Sequence, residues 1–281
     1  MRRVWWICLL WSSLVSCAEN YALRYPGRAF STQPGQRVVF STLRGRTVIR
    51  GVEGSRDIVV QGTIYTTAQS PEEADRAAQE VSVVDESVPV GPHPALRLSI
   101  RGIPSISSTR FESQLLVPPD IRLEILDGPE DLFVESLECG IKISDGAGDI
   151  DLQRISGPVE IDDLDGDIHY LDGAGAVKIV DRRGSIHLQE ITGSIDITDR
   201  EDDAIVQSVT GDLRFSKLGR GIVRINNLDG KLDIREWNNP FPAQINTVWE
   251  KDGESARPAP SSGPPPPEES SGGKKEPPAK K

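Results

Sequence analysis

The stretch from Gly148 to Arg200, GDIDLQRIS GPVEIDDLD GDIHYLDGA GAVKIVDRR GSIHLQEIT GSIDITDR, decides the fold. Gly148, Gly157, Gly166, Gly175, Gly184 and Gly193 fall nine residues apart. A short fixed period marks stacked coils rather than a globular core. Written in nines from Ile121, the register runs to Asn238, with one extra residue expected near Gly219 to Gly221. The third and fifth positions of each repeat are apolar, as in Val159 and Ile161, Ile168 and Tyr170, or Val177 and Ile179. Residues two apart point to the same side of a strand, so each repeat reads as a short strand with two inward side chains, then a turn.

The outward fourth position gives the coil length. In every second repeat it reads Glu124, Lys142, Glu160, Lys178, Asp196, Arg214, Asp233. The sign alternates at each step of eighteen or, across the insertion, nineteen residues. Opposite charges attract and like charges repel on adjacent strands, so alternation is what neighbours would show. The fold class that follows is all-β: a single-stranded β-helix, or solenoid, with two strands per coil of about 18 residues. Parallel crossovers are nearly always right-handed, so a right-handed coil is expected. Six and a half coils at ~4.8 Å would give a rod roughly 31 Å long.

Working outward, residues 1–16 read as a signal peptide. Arg2 and Arg3 form a positive start, and Val4 to Trp11 a short apolar run that is too short to span a bilayer. Leu14-Val15-Ser16-Cys17 resembles the bacterial lipobox. The resemblance implies cleavage before Cys17 and lipidation of its sulfur, hence an exported, lipid-anchored envelope protein. Ala18, where an aspartate would signal inner-membrane retention, points to the outer membrane if the source has two membranes. Residues 17–35 read as a tether. Residues 36–120 read as a β-rich region with one short helix that caps the first coil. Its helix opens at Ser70-Pro71-Glu72-Glu73, a capping box with proline at the first helical position. Residues 121–250 are the solenoid, with Trp237, Phe241 and Ile245 to Trp249 expected over its far end. Residues 251–281, rich in Pro, Ser, Gly, Glu and Lys, carry too little apolar surface to fold and read as a disordered tail.

The net charge is −11. Six basic and five acidic residues lie in the tail, and Arg2 and Arg3 in the signal, which leaves −14 on residues 17–250. Such a surface repels nucleic acid and favours cations or basic partners. Of three cysteines, Cys8 leaves with the signal and Cys17 carries the lipid, so Cys139 has no partner for a disulfide.

Several stretches resemble a bacterial family, the "putative adhesin" β-strand-repeat (toastrack-like) lipoproteins of unknown function. They are Ser70-Pro71-Glu72-Glu73-Ala74 before a Val-rich strand, Leu115-Leu116-Val117-Pro118 leading into the repeats, and the recurring Gly-Asp-Ile of Gly148 to Ile150 and Gly166 to Ile168. The resemblance covers roughly residues 37–250. It implies a β-helix in an envelope protein, and it carries no catalytic motif.

The seventh position of alternate repeats reads Asp127, Asp145, Asp163, Asp181, Asp199. These carboxylates are expected to stack along one edge of the rod, held by Asx-turns or by a calcium column. The repeats lack the paired glycines of calcium-binding nonapeptides, which favours the turns. On the other face the fourth positions read Phe133, Asp151, His169, His187, Ile205, Arg224. Two histidines beside a carboxylate have zinc or copper donor chemistry, but a flat sheet encloses nothing, so no metal site is assigned. Phe133, His169, His187 and Ile205 form instead the candidate binding face, because apolar and imidazole groups left outward are more interface-like than paired charges. No cofactor is expected. The repeats contain no long loop excursion on which catalytic residues would concentrate, so the chain reads as a binding module for a protein or glycan partner and not as an enzyme. A carbohydrate-active β-helix enzyme and a cation-binding sensor are the alternatives; a carboxylate-lined pocket near the N-terminal region would favour the first.

Overall fold

The computed structural model describes residues 18–41, 45–88, 94–102, 109–126, 130–199, 201–236, 243–246 and 248–249. The repeats form two parallel sheets, and the chain alternates between them. One sheet contains Leu132–Leu137, Ile150–Ser156, Ile168–Ala174, Ile186–Thr192, Ala204–Thr210 and Val223–Asp229. The other contains Arg122–Leu126, Ile141–Ser144, Val159–Asp163, Val177–Asp181, Ile195–Asp199, Leu213–Lys217 and Leu232–Ile234. Ile150 pairs with Ile168 and Ile168 with Ile186, while Val159 pairs with Val177 and Val177 with Ile195. The coil is therefore eighteen residues, and the protein is a β-solenoid. Each third and fifth position from Leu132 to Ile225 faces the core, where Ile143, Ile150, Ile168, Ile179, Ile186 and Ile197 are fully buried.

The nine-residue glycine spacing reflects backbone stacked on backbone. A Cβ on Gly184 would lie 1.8 Å from the carbonyl oxygen of Gly166, and Gly184 holds φ at +133°. A side chain there would both collide and strain.

The two halves of a coil end differently, and this decides which side chains enter the core. In the first sheet the seventh position of each repeat is left-handed without being glycine. Ser136, Arg154, Asp172, Glu190, Ser208 and Asn227 have φ between 52° and 62°. That turn of the backbone swings the eighth position inward, so Leu137, Ile155, Ile191, Val209 and Leu228 form a third core column. Gly173 occupies this column where its neighbours are Ile155 and Ile191. The space is filled from Tyr170, whose ring replaces the leucines of adjacent coils. A Cβ on Gly173 would meet the Tyr170 hydroxyl at 2.1 Å. The buried hydroxyl donates to the Ile155 carbonyl at 3.0 Å, which satisfies it. Burial also pushes it well above the usual phenol range.

The extra residue is not at Gly219 to Gly221. Ile197 pairs with Phe215 but Thr198 with Lys217, so Ser216 bulges out of its strand. Its hydroxyl donates to Asp196 Oδ1 at 2.6 Å. A bulge absorbs one residue and leaves the inward pattern on either side intact.

The N-terminal region extends the solenoid instead of plugging its end. Arg37–Ser41 pairs in parallel with Arg122–Leu126, and Thr47–Gly51 with Leu132–Leu137. Ala95–Arg101 and Arg110–Val117 add one more parallel strand to each sheet. Only then do antiparallel strands finish the edges: Ser82–Val88 on one sheet, and Asp57–Ala68 followed by Glu19–Ser31 on the other. The stretch expected as a tether is thus largely the strand Glu19–Ser31. Its alternate residues are half-buried against Asp57–Ala68, and Arg28 reaches Asp85 at 2.9 Å. Tyr21, Leu23 and Tyr25 are among its half-buried positions, a period-two alternation already present in the sequence.

The helix runs from Pro71 to Glu80. Ser70 accepts from the Glu73 amide at 3.3 Å, and Glu73 Oε2 accepts from the Gln69 amide at 2.8 Å, one residue earlier than the expected Ser70. At the far end Ala243 and Ile245 pack on the core. Trp237 and Phe241, also expected there, lie outside the described residues, as do Cys17, residues 1–16 and the tail from 251.

Candidate binding face and the carboxylate column

The outward ladder on the second sheet has the expected registers throughout: Glu124–Lys142–Glu160–Lys178–Asp196–Arg214–Asp233. Its members satisfy one another. Lys142 lies 3.4 Å from Glu160, Lys178 3.8 Å from Glu160, and Arg214 3.1 Å from Asp233 and 4.0 Å from Asp196. The two guanidinium partners hold the Asp233 carboxyl below the usual carboxylate range, with Arg235 contributing most.

The opposite face brings together the residues singled out from the sequence. Phe133, Asp151, His169, His187, Ile205 and Arg224 stand on consecutive strands in one column. Val48 extends it on the N-terminal side, opposite Phe133. His169 Nδ1 lies 3.2 Å from Asp151 Oδ1, and the two imidazoles meet edge-to-face at 5.0 Å. His187 is exposed, while Phe133, His169 and Ile205 are half-buried. Leu171 stands one position-pair along, 36% exposed, between Gln153 and Gln189. Sequence reasoning placed this column correctly because the fourth position lies on the outward parity in both sheets.

The aspartates stand elsewhere than expected. Asp163, Asp181 and Asp199 are not on an outer edge; they are 0%, 0% and 1% exposed, and Asp145 is 8% exposed. Parity explains it. In the second sheet the backbone stays extended through the seventh position, so Asp163 faces the same side as Val159 and Ile161. Asp163, Asp181 and Asp199 are direct neighbours on adjacent strands. Each uses one oxygen at the corner of its own coil: Oδ1 accepts from Gly146, Leu164, Arg183 and Glu201 amides at 2.7, 2.8, 3.1 and 3.0 Å for Asp145, Asp163, Asp181 and Asp199. The bond to the amide two residues on that an Asx-turn requires is made by Asp181 and Asp199, whereas Asp145 and Asp163 bond the next amide, and none of the four stands on the expected edge. Asp127 lies outside the described residues. Burial is the largest effect on the three inner carboxyls and raises them to about 6 for Asp163, about 7 for Asp181 and about 8 for Asp199. Neighbouring carboxylates add to the rise, and the backbone donors oppose it.

A second acidic column, unremarked in the sequence, lies on the surface just before each first-sheet strand. Asp131, Asp149 and Asp167 each accept the backbone N–H of the equivalent residue one coil on, Asp149, Asp167 and Ser185, at 3.3, 3.0 and 2.8 Å. This bonding ties coil to coil and gives these acidic residues a structural role. Where the N-terminal region meets the first coils, a shallow groove of about 740 Å³ is lined by Gln33, Glu53, Arg56, Asp120 and Glu138 among others. Among the described residues no helix is long and apolar enough to cross a membrane, and no cluster of His, Cys, Asp or Glu is arranged to hold a metal ion.

No family model matches the chain, and no curated protein matches it. Solved structures do. One from Bacteroides fragilis, described as a "putative adhesin", is 13% identical with a TM-score of 0.49, covering 81% of this chain and 97% of that one. Another "putative adhesin", from Parabacteroides distasonis, is 10% identical with a TM-score of 0.37, covering 83% and 97%. A "putative cell adhesion protein" from Clostridium sporogenes is 11% identical with a TM-score of 0.34, covering 75% and 99%.

Proposed function

We propose that this protein is a lipid-anchored envelope protein, an adhesin-like or scaffold module that binds a protein or glycan partner through the face of Phe133, His169, His187 and Ile205. In this reading Cys17 carries the lipid and holds the rod at a membrane, the outer one where there are two, and the module works by binding rather than catalysis. The observation that carries it is the contrast between the two broad faces. On one, Lys142 and Lys178 both meet Glu160, Arg214 meets Asp196 and Asp233, and Glu124 meets Arg37. On the other, Phe133, His187, Ile205 and Leu171 present aromatic, imidazole and aliphatic surface. Surface of that composition gains from being covered, whereas the ladder would have to give up pairs to be covered. The test is recovery of envelope partners with the acyl-anchored protein. Replacing Phe133, His169 and Ile205 with serine should reduce recovery while leaving the circular dichroism unchanged. Unchanged recovery, with loss when Lys142 and Lys178 are altered, would place binding on the ladder face instead.

The groove lined by Glu53, Asp120 and Glu138 favours a second reading, a carbohydrate-active enzyme. Its test is release of reducing ends from envelope polysaccharides, abolished by Glu53→Gln, Asp120→Asn or Glu138→Gln.

A further inference from the structure

The buried carboxylates carry an inference independent of the binding face. Asp163, Asp181 and Asp199 stand in register on adjacent parallel strands, about 4.8 Å apart by strand spacing. One oxygen of each is bound to a corner amide. The second oxygens of Asp163 and Asp181 are buried and meet no hydrogen-bond donor among the described residues. A buried carboxylate oxygen without a donor is costly, and three ionised carboxylates side by side repel as well.

The surroundings offer little relief by cations. The charged groups that bear on the column are Asp162, Asp165, Asp202 and Asp203, all acidic, together with its own members. Arg182 and Arg183 follow Asp181 directly, but their guanidiniums turn outward to Asp162 at 3.9 Å and Asp165 at 3.2 Å. Lys217 pairs with Thr198 and so shares its outward parity. The column runs into Asp145 on one side and is closed on the other by Leu218, the buried residue following Lys217.

We propose that Asp163, Asp181 and Asp199 form a proton-binding column inside the solenoid, in which a carboxyl O–H on one coil donates to the free carboxylate oxygen on the next, so that the rod tightens in mild acid and loosens as the medium becomes alkaline. The protons come from solvent on folding and return to it on unfolding. Protonation supplies the missing donor and removes the repulsion together. The direction follows from linkage. Each folded carboxyl releases its proton at higher pH than the unfolded one, which titrates near 3.8. Between roughly pH 4 and 8 the folded chain therefore binds more protons than the unfolded chain, and stability falls as pH rises through that window. The steps belong to the column rather than to single residues.

The test is a carbon NMR titration of the full chain labelled at the aspartate carboxyl carbon. Three resonances should titrate between about pH 6 and 8. The aspartate carbon label reads the column without any signal from the three histidines. In parallel, the urea midpoint of the native chain should fall from about pH 5 to about pH 8, and Asp181→Asn should flatten that fall. Titration of every aspartate near 4, or a midpoint that holds or rises toward about pH 8, would overturn the proposal. So would a higher midpoint on adding calcium chloride at that pH, because the column would then be a cation site. Should Asp181→Asn fail to fold, the native titration decides alone.

Discussion

Reversing one charge in the ladder tests the coil at its most regular point. Lys178 lies between Glu160 and Asp196 on adjacent strands, with its ammonium 3.8 Å from Glu160. Lys178→Glu turns two attractive neighbours into two repulsive ones. At a separation of ~5 Å in water, one unit pair is worth roughly 0.8 kcal/mol, and screening at about 0.15 M salt roughly halves it. Reversal changes each pair by twice that amount, so two rigid pairs would lose roughly 1.8 kcal/mol. Lys178 is 62% exposed and Glu160 47%, and side chains that free can splay apart. The expected loss is therefore about 0.5–1 kcal/mol, in line with exposed pairs generally. Urea unfolding followed by circular dichroism reads it. In about 1 M salt the Debye length drops to ~3 Å, and most of the loss should vanish. Adding Glu160→Lys to that variant should recover part of the loss. The two exchanged charges would attract again, although the introduced ammonium would also face Lys142. Lys231→Glu, outside the ladder, controls for the change in net charge. A Lys178→Glu loss that ignores salt, or that Lys231→Glu reproduces, would refute the pairing argument.

Gly173→Ala should cost on the order of 1–3 kcal/mol, because its Cβ would enter the Tyr170 hydroxyl. The double replacement Tyr170→Leu with Gly173→Ile should recover most of that, since it restores the residues of the neighbouring coils; thermal melts of the single and double variants decide it. Asp163→Asn should be mild or stabilising near pH 8, where the amide oxygen still accepts from Leu164 and no charge is buried. A chelator should leave the melting temperature of the native chain unchanged. Labelled palmitate should enter the native protein and be lost in Cys17→Ser; label retained in that variant would remove the lipid anchor from the proposed function.

Much of this molecule is written in one dimension. A solenoid makes every inter-strand neighbour a fixed number of residues away, so the eighteen-residue alternation from Glu124 to Asp233 reports spatial contact directly. The same logic sets Phe133, His169, His187 and Ile205 in one outward column from sequence alone. Parity also held the location of Asp163, two residues beyond Ile161, but an aspartate three residues before the repeat glycine Gly166 reads as a turn. What the tertiary structure decided was backbone conformation at single positions. The seventh residue is left-handed at Arg154 and extended at Asp163, and this one difference sends Ile155 into the core on one side and Asp163 into it on the other. No residue type marks the choice, because Ser, Arg, Asp, Glu and Asn all take the left-handed turn when the coil above and below takes it too. Likewise only the fold gives Glu19–Ser31 its partner, the antiparallel strand Asp57–Ala68, and Tyr170 explains Gly173 only because the two side-chain volumes share one site in the packed coil.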